Sequence, residues 1–262
     1  MKLPYYHVDA FTDRLFRGNP AGVILLSSGW LPEQVMQKIA YENNLSETAF
    51  IIEDGEDFGL RWFTPTIEVD LCGHATVAAA HVLFNEIGHK QDQIRFQTKS
   101  GIVSVERREK TLVLDFPSRP PVKCSCPLGP ARILGKKPAE VRKSRDYLFV
   151  FNEEEDILNM TPDFVSMKNW ECLGVIVTAP GKTADFVSRF FAPRAGVNED
   201  PVTGSAHSTL IPYWAERLRK TSLKALQLSE RGGELFCQEA GKRVKIGGRA
   251  ITYLSGEIYL QI

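Results

Sequence analysis

An α/β fold of two similar halves, each wrapping sheet around one apolar helix, is what the sequence predicts. The first observation is a pair of related turns. Asn198-Glu199-Asp200-Pro201-Val202-Thr203-Gly204-Ser205-Ala206-His207 packs an acid, a Gly-Ser pair and a His ahead of an uncharged helical run, and Asp70-Leu71-Cys72-Gly73-His74-Ala75-Thr76 has the same plan. The second is a pair of strands ahead of those turns, Arg61-Trp62-Phe63-Thr64-Pro65 and Arg189-Phe190-Phe191-Ala192-Pro193, at nearly matching intervals. The third lies downstream, where Ile94-Arg95-Phe96 with Ser100-Gly101-Ile102-Val103 lines up with Leu226-Gln227-Leu228 and Gly232-Gly233-Glu234-Leu235. Matched blocks in one order point to a duplicated unit, while a pair is too few for a solenoid or propeller.

A chain of 262 residues is long enough for two cores. The expected division is 1–116, a Pro-rich crossover over 117–145, where six of the fifteen prolines fall, and 146–262. Hydrophobic residues at 43% and charged ones at 24% exclude a disordered chain. Lys+Arg 32 balances Asp+Glu 32, which leaves no electrostatic basis for a nucleic-acid or anionic-membrane partner. No apolar run is long enough for a membrane span, and the start lacks the apolar core of a signal peptide, so a cytoplasmic location is expected. Five scattered cysteines, 72, 124, 126, 172 and 237, show no zinc-ligand spacing and argue against a disulfide scaffold.

Taken in order, Tyr5–Phe11 and Val23–Leu26 read as strands joined by the turn chemistry of Gly18-Asn19-Pro20-Ala21-Gly22. Pro32 opens a helix that places Val35, Met36, Ile39 and Ala40 on one face and ends near Asn43-Asn44. In the strand from Leu45 to Ile52, period-2 alternation puts Glu47 on the face of Leu45, Ala49 and Ile51. Asp57–Phe63 is a further strand, and 75–84 is apolar all round, as for a helix enclosed by sheet. Strands at 94–98, 102–107 and 111–116 complete the first half. The second half repeats the plan with strands at Tyr147–Phe151, Gly174–Ala179 and Phe186–Phe191, and a helix over 206–218 interrupted by Pro212. Strands near 226–229, 234–237, 243–246 and 257–261 close it.

A glycine at a helix start exposes unpaired backbone N–H groups at the positive end of the helix dipole. The Gly73 turn and the Gly204-Ser205 turn are therefore candidate anion sites, able to hold a substrate carboxylate and an enolate-like charge if they face one cleft. The plainer alternative is N-capping by Ser205, with His74 as a satisfied turn residue. Glu47 divides the same way: on a buried face it is a carboxyl able to hold and release a proton, and at an edge it caps a turn or meets a surface Lys. Glu47, His74 and Asp200 converging on one pocket suit proton abstraction and return at carbon. No nucleotide or metal motif is present, so no cofactor and no metal are expected.

Gly18-Asn19-Pro20-Ala21, Ser46-Glu47-Thr48-Ala49-Phe50, Arg61-Trp62-Phe63-Thr64-Pro65, Cys72-Gly73-His74-Ala75-Thr76, Glu199 to His207 and Arg231-Gly232-Gly233-Glu234-Leu235 resemble the successive motifs of the phenazine-biosynthesis PhzF-like family. The resemblance covers almost the whole chain. It implies the diaminopimelate-epimerase-like fold, with two similar domains, each a barrel-like sheet around a central helix, an active site between them, and a homodimer. It also implies cofactor-free isomerisation, which in PhzF itself acts on a dihydro-hydroxyanthranilate. Carried over by residue, the acid/base matches Glu47, its pocket partners match His74, Asp200 and Ser205, and Gly73 and Gly204 stand at the turns.

Two other readings stay open. A thiol-dependent epimerase or racemase of the same fold needs one cysteine at each turn, and here Cys72 has Thr203 opposite it in the repeat. A one-thiol variant would use Cys72 with Asp200. The remaining reading is a non-catalytic binding protein that kept the fold.

Overall fold

The helix Gly73–His81 is buried along its whole length, which follows from its composition: no charged residue interrupts Gly-His-Ala-Thr-Val-Ala-Ala-Ala-His, so no face of it gains from solvent. In the computed structural model, which describes residues 1–125 and 127–261, this helix belongs to a unit formed by Met1–Asp115 and Gly247–Ile262. A second unit spans Phe116–Ile246.

The first unit runs β1 (Lys2–Ala10), β2 (Asn19–Leu26), α1 (Glu33–Asn43), β3 (Glu47–Asp54), β4 (Asp57–Phe63), β5 (Glu68–Val69) and α2 (Gly73–His81). A π-helical turn over Val82–Glu86, then β6 (Gln93–Thr98), β7 (Gly101–Arg108) and β8 (Thr111–Pro117) follow. The second holds β9 (Val122–Lys123), α3 (Pro130–Ile133), β10 (Glu140–Lys143), β11 (Tyr147–Val150), α4 (Glu154–Leu158), α5 (Phe164–Met167), β12 (Val175–Pro180) and β13 (Phe186–Ala192). It continues through β14 (Val197–Asp200), α6 (Gly204–Leu218), β15 (Ser222–Gln227), β16 (Gly233–Ala240) and β17 (Arg243–Gly248). Last, β18 (Ala250–Tyr259) pairs antiparallel with β1 in the first unit.

The duplication is legible in the ladders. In the first unit β2 and β3 are parallel, β3 and β4 antiparallel, β4 and β6 parallel, and β6 and β7 antiparallel. The second repeats this with β11 and β12, β12 and β13, β13 and β15, and β15 and β16. In both, the central helix connects the members of the second parallel pair, as a parallel connection requires. An arginine clamp recurs too. Arg61 donates from Nε and Nη2 to the two Glu68 oxygens at 2.7 Å each, and Arg189 donates likewise to Glu199 at 2.7 and 2.8 Å. Each guanidinium also lies over a phenyl ring two residues on, Phe63 or Phe191, at 5.2 and 5.1 Å.

The expected boundaries differ from these. The segment 117–145 carries β9, α3 and β10 within the second unit, because its prolines sit between short paired strands: Val122 and Lys123 pair with β10. Cys126 of this segment lies outside the described residues. The C-terminal strand returns to β1, which a linear division at 146 misses. Helix α6 starts at Gly204, two residues before the expected 206, and runs through Pro212 unbroken. Proline removes the N–H that would bond the Ser208 carbonyl, and the Arg119 backbone N–H supplies that bond at 2.8 Å instead. At Gly18, with φ of +69°, an added Cβ would lie 2.1 Å from the Ala10 carbonyl oxygen, so only glycine makes this turn into β2. Among the described residues, no helix is long and apolar enough to cross a membrane.

Candidate active site

Glu47 is the first residue of β3, opposite Ala21 of the parallel neighbour β2. The strand is set by what precedes it: Asn44 closes α1 in the left-handed region, φ 47°, and the Asn43 amide donates to the Thr48 hydroxyl at 3.1 Å. Thr48, Ala49, Phe50 and Ile51 are all buried, so this stretch of β3 has no solvent face and the period-2 contrast drawn from the sequence is absent from it. Glu47 itself keeps 18% of its side chain accessible, at the place where this buried strand begins.

His74 reaches the same place from α2. Its Nε2 approaches Glu47 Oε2 at 3.2 Å, both atoms buried, in a contact just short of a well-aligned hydrogen bond. Burial without a compensating charge pushes the imidazole pKa down to about 3, so the ring is neutral and the contact is not an ion pair. A neutral imidazole has one N–H. Placed on Nε2, it faces the Glu47 carboxylate and leaves Nδ1 to accept from the Cys72 thiol, whose Sγ lies 3.5 Å away. Cys72 stands at the N-cap of α2 without capping it through its side chain; its carbonyl accepts from the Thr76 N–H and hydroxyl at 3.2 and 2.5 Å. Glu47, Gly73, His74 and Cys72 thus gather within the first unit.

Asp200, Gly204 and Ser205 gather in the second. Thr203 is the N-cap of α6, without a side-chain cap bond, so Ser205 is not the capping residue that the plainer alternative required. The Thr203 hydroxyl instead donates to Asp200 Oδ2 at 2.5 Å. Gln227, buried at the end of β15, ties the turn together: it accepts from the Thr203 N–H at 2.9 Å and donates to the Asp200 carbonyl at 2.8 Å. Ser205 Oγ accepts from Arg145 Nη2 at 3.4 Å, and Arg145 is itself held by the buried Asp146 through Nε and Nη2. His207 donates from Nδ1 to the Thr203 carbonyl at 2.9 Å; its pKa is pushed down to about 4 by burial, against the opposing pull of that bond. It therefore serves as a neutral strut of the helix start.

The family model described as phenazine biosynthesis-like protein matches residues 8–256. The chain belongs to the phenazine biosynthesis-like family. It is 51% identical over 261 residues to an uncharacterized isomerase of Pseudomonas aeruginosa, covering 99% of this chain and 100% of that one. A PhzF family crystal structure from Enterococcus faecalis is 49% identical, with a TM-score of 0.97 and coverage of 99% and 100%. A probable proline racemase from Agrobacterium radiobacter, 10% identical with a TM-score of 0.65 and coverage of 99% and 93%, shares the fold alone. Kinship at this level places the chain among isomerases.

Sequence reasoning missed Arg145 and Gln227. Both lie outside the turns they support, at the edge of β11 and the end of β15, and only the folded chain brings them near. A polar residue at an otherwise apolar position of a strand was the signal available for Gln227, between Leu226 and Leu228. Arg145, in a charged stretch, offered none.

Proposed function

We propose that this member of the family is a cofactor-independent isomerase that moves a proton at carbon of a small carboxylic acid, with Glu47 as general acid/base. The observation that carries this reading is the Glu47–His74 contact at 3.2 Å, with a ring that burial keeps neutral. A cationic neighbour would hold Glu47 permanently ionised, whereas a neutral N–H can orient the carboxylate while leaving it free to take and return a proton. In this reading Asp200 and Ser205 are further candidate groups for the reaction, with the Arg145 guanidinium beside Ser205 adding positive charge suited to a carboxylate. The experiment is a screen of small carboxylic acids, cyclic dienes and amino acids included, for deuterium uptake from solvent, repeated with Glu47→Gln. Loss of uptake by ~10²-fold or more in the folded variant is expected, the range that acid–base groups contribute. Uptake near the parent rate would remove Glu47 from the chemistry.

A second reading has one observation in its favour. The Cys72 Sγ stands at the N-terminal end of α2, 3.5 Å from His74 Nδ1, and the positive end of that helix favours the thiolate that a one-thiol epimerase would need. Thr203, at the equivalent turn, holds a hydroxyl engaged with Asp200 and supplies no matching second base near neutral pH.

A further inference from the structure

Glu47, Cys72 and His74 bring a carboxylate oxygen, a sulfur and a ring nitrogen within 4.8 Å of one another. We propose that these three side chains form a binding site for a thiophilic divalent cation, with Zn2+ as its type, and that the bound ion switches the enzyme off. The switching half rests on Glu47 being the acid/base of the reaction; the binding half does not.

The donor set selects the ion. One sulfur, one imidazole and one carboxylate suit Zn2+, whereas Mg2+ and Ca2+ call for shells of oxygen. Tetrahedral zinc with bonds of ~2.0–2.3 Å sets its donors roughly 3.3–3.8 Å apart. The Sγ–Nδ1 separation of 3.5 Å already meets that, so the Cys72–His74 edge is preformed by the start of α2. Glu47 is the one ligand that must move: its oxygen faces the other ring nitrogen, Nε2, at 3.2 Å and has to swing toward the Cys72–Nδ1 edge, and its side chain is the most accessible of the three, at 18%. Three protein ligands leave a fourth position to water or to a substrate carboxylate. On binding, the Cys72 S–H bond breaks, its proton passes to solvent, and the sulfur lone pair bonds to the cation. The positive end of α2 stabilises the thiolate so formed, although it opposes the cation itself. Once ligated, the Glu47 oxygen is no longer open to a substrate proton.

The test begins with Co2+, whose thiolate ligation is read directly by a sulfur-to-cobalt charge-transfer band. Titration of the full-length protein is expected to show that band saturating at one Co2+ per chain, to be displaced by Zn2+, and to vanish in Cys72→Ser. By calorimetry, Cys72→Ser and Glu47→Gln are each expected to weaken Zn2+ tenfold or more. X-ray absorption at the zinc edge of the unmutated protein, which needs no variant to fold, is expected to show one sulfur and otherwise nitrogen or oxygen ligands. No charge-transfer band, or a zinc shell without sulfur, overturns the site. For the switch, stoichiometric Zn2+ is expected to abolish solvent exchange and a chelator to restore it. Full exchange in a zinc-saturated enzyme overturns the switch and leaves the site standing, while exchange by Glu47→Gln is the separate result that would remove the catalytic reading.

Discussion

His74 Nε2 lies 3.2 Å from Glu47 Oε2, although one residue opens a helix and the other opens a strand. The contact joins two elements whose starts are both fixed by their own backbone: β3 by the Asn43–Thr48 bond, α2 by the bonds that Thr76 makes to the Cys72 carbonyl. Because β3 is buried from Thr48 to Ile51, neither partner can drift without disturbing the core. A carboxylate placed beside a neutral ring at the start of a buried strand is what the proposed acid/base role requires, and the neutral ring rules out a structural ion pair there.

The neutral N–H of His74 should be replaceable by another neutral N–H. The amide nitrogen of Gln falls near the imidazole Nε2 position, so His74→Gln is expected to keep more solvent exchange than His74→Leu, which offers Glu47 no donor. A gap of roughly tenfold, ~1.4 kcal/mol, fits the loss of one N–H contact to the carboxylate. Equal rates in the two variants would show that His74 does not orient Glu47.

The two arginine clamps look alike but should not be equally costly to remove. Arg189 also donates from Nη1 to the backbone carbonyls of Ile157 and Met160 at 3.1 and 2.7 Å; the Ile157 carbonyl keeps the Met160 N–H at 3.4 Å when Arg189 is gone, but the bond to the Met160 carbonyl leaves with the guanidinium. Arg61 has the exposed Glu33 as its extra partner, and Glu68 keeps Lys99 when Arg61 is gone. Urea unfolding is expected to show a loss of ~2–4 kcal/mol for Arg189→Ala, which removes a carbonyl bond along with the ion pair, and ~1–2 kcal/mol for Arg61→Ala, where Lys99 still meets Glu68. The opposite ranking would mean that the carbonyl contacts contribute little.

How much of this was legible beforehand depends on what each feature rests on. The duplication was, because Arg61-Trp62-Phe63 and Arg189-Phe190-Phe191 encode matching strands, and the apolar run after Gly73 announces a fully enclosed helix. The turn residues were nominated for a physical reason, since glycine and small polar residues mark helix starts. The return of β18 to β1 was not legible, because strand pairing across nearly the whole chain leaves no local trace. Nor was the passage of α6 through Pro212, which depends on the distant Arg119 N–H. Ser205 illustrates a subtler limit: its position suggests a cap, and only the structure shows Thr203 in that role and Ser205 bonded to Arg145.

His207 makes stability depend on pH. Its folded pKa is pushed down to about 4, below the ~6.5 of an unfolded histidine. Between those values the unfolded chain binds a proton that the folded one refuses, so stability falls as pH drops through this window, by ~3 kcal/mol at most for this residue. Above pH ~6.5 both states are neutral there and the full contribution is present. His207→Asn keeps a donor for the Thr203 carbonyl but cannot titrate, and urea unfolding from pH 7 to pH 4.5 is expected to give it a shallower loss than the parent. His74, held down to about 3 by burial, acts in the same sense, so the slope should shrink rather than disappear. An unchanged slope would place the titration elsewhere.

Cys72 separates the two enzyme readings. If Glu47 moves the proton, the thiol acts only as a donor to His74 Nδ1, and its removal disturbs the ring without removing a base. If the thiol is the base, Glu47 is the bystander. A thiol base must also give up its proton readily and be answered from the opposite face of the stereocentre, and Thr203 gives no such answer. Cys72→Ala and Glu47→Gln should therefore be compared side by side, with a chelator present to keep adventitious metal from the assay, following deuterium incorporation into whichever acid the screen identifies. The loss in Glu47→Gln is expected to exceed that in Cys72→Ala by ~10-fold or more, because a general acid/base contributes ~10²–10⁴ whereas a positioning hydrogen bond contributes ~1 kcal/mol. The reverse order would assign the chemistry to the thiol and reduce Glu47 to the residue that orients His74.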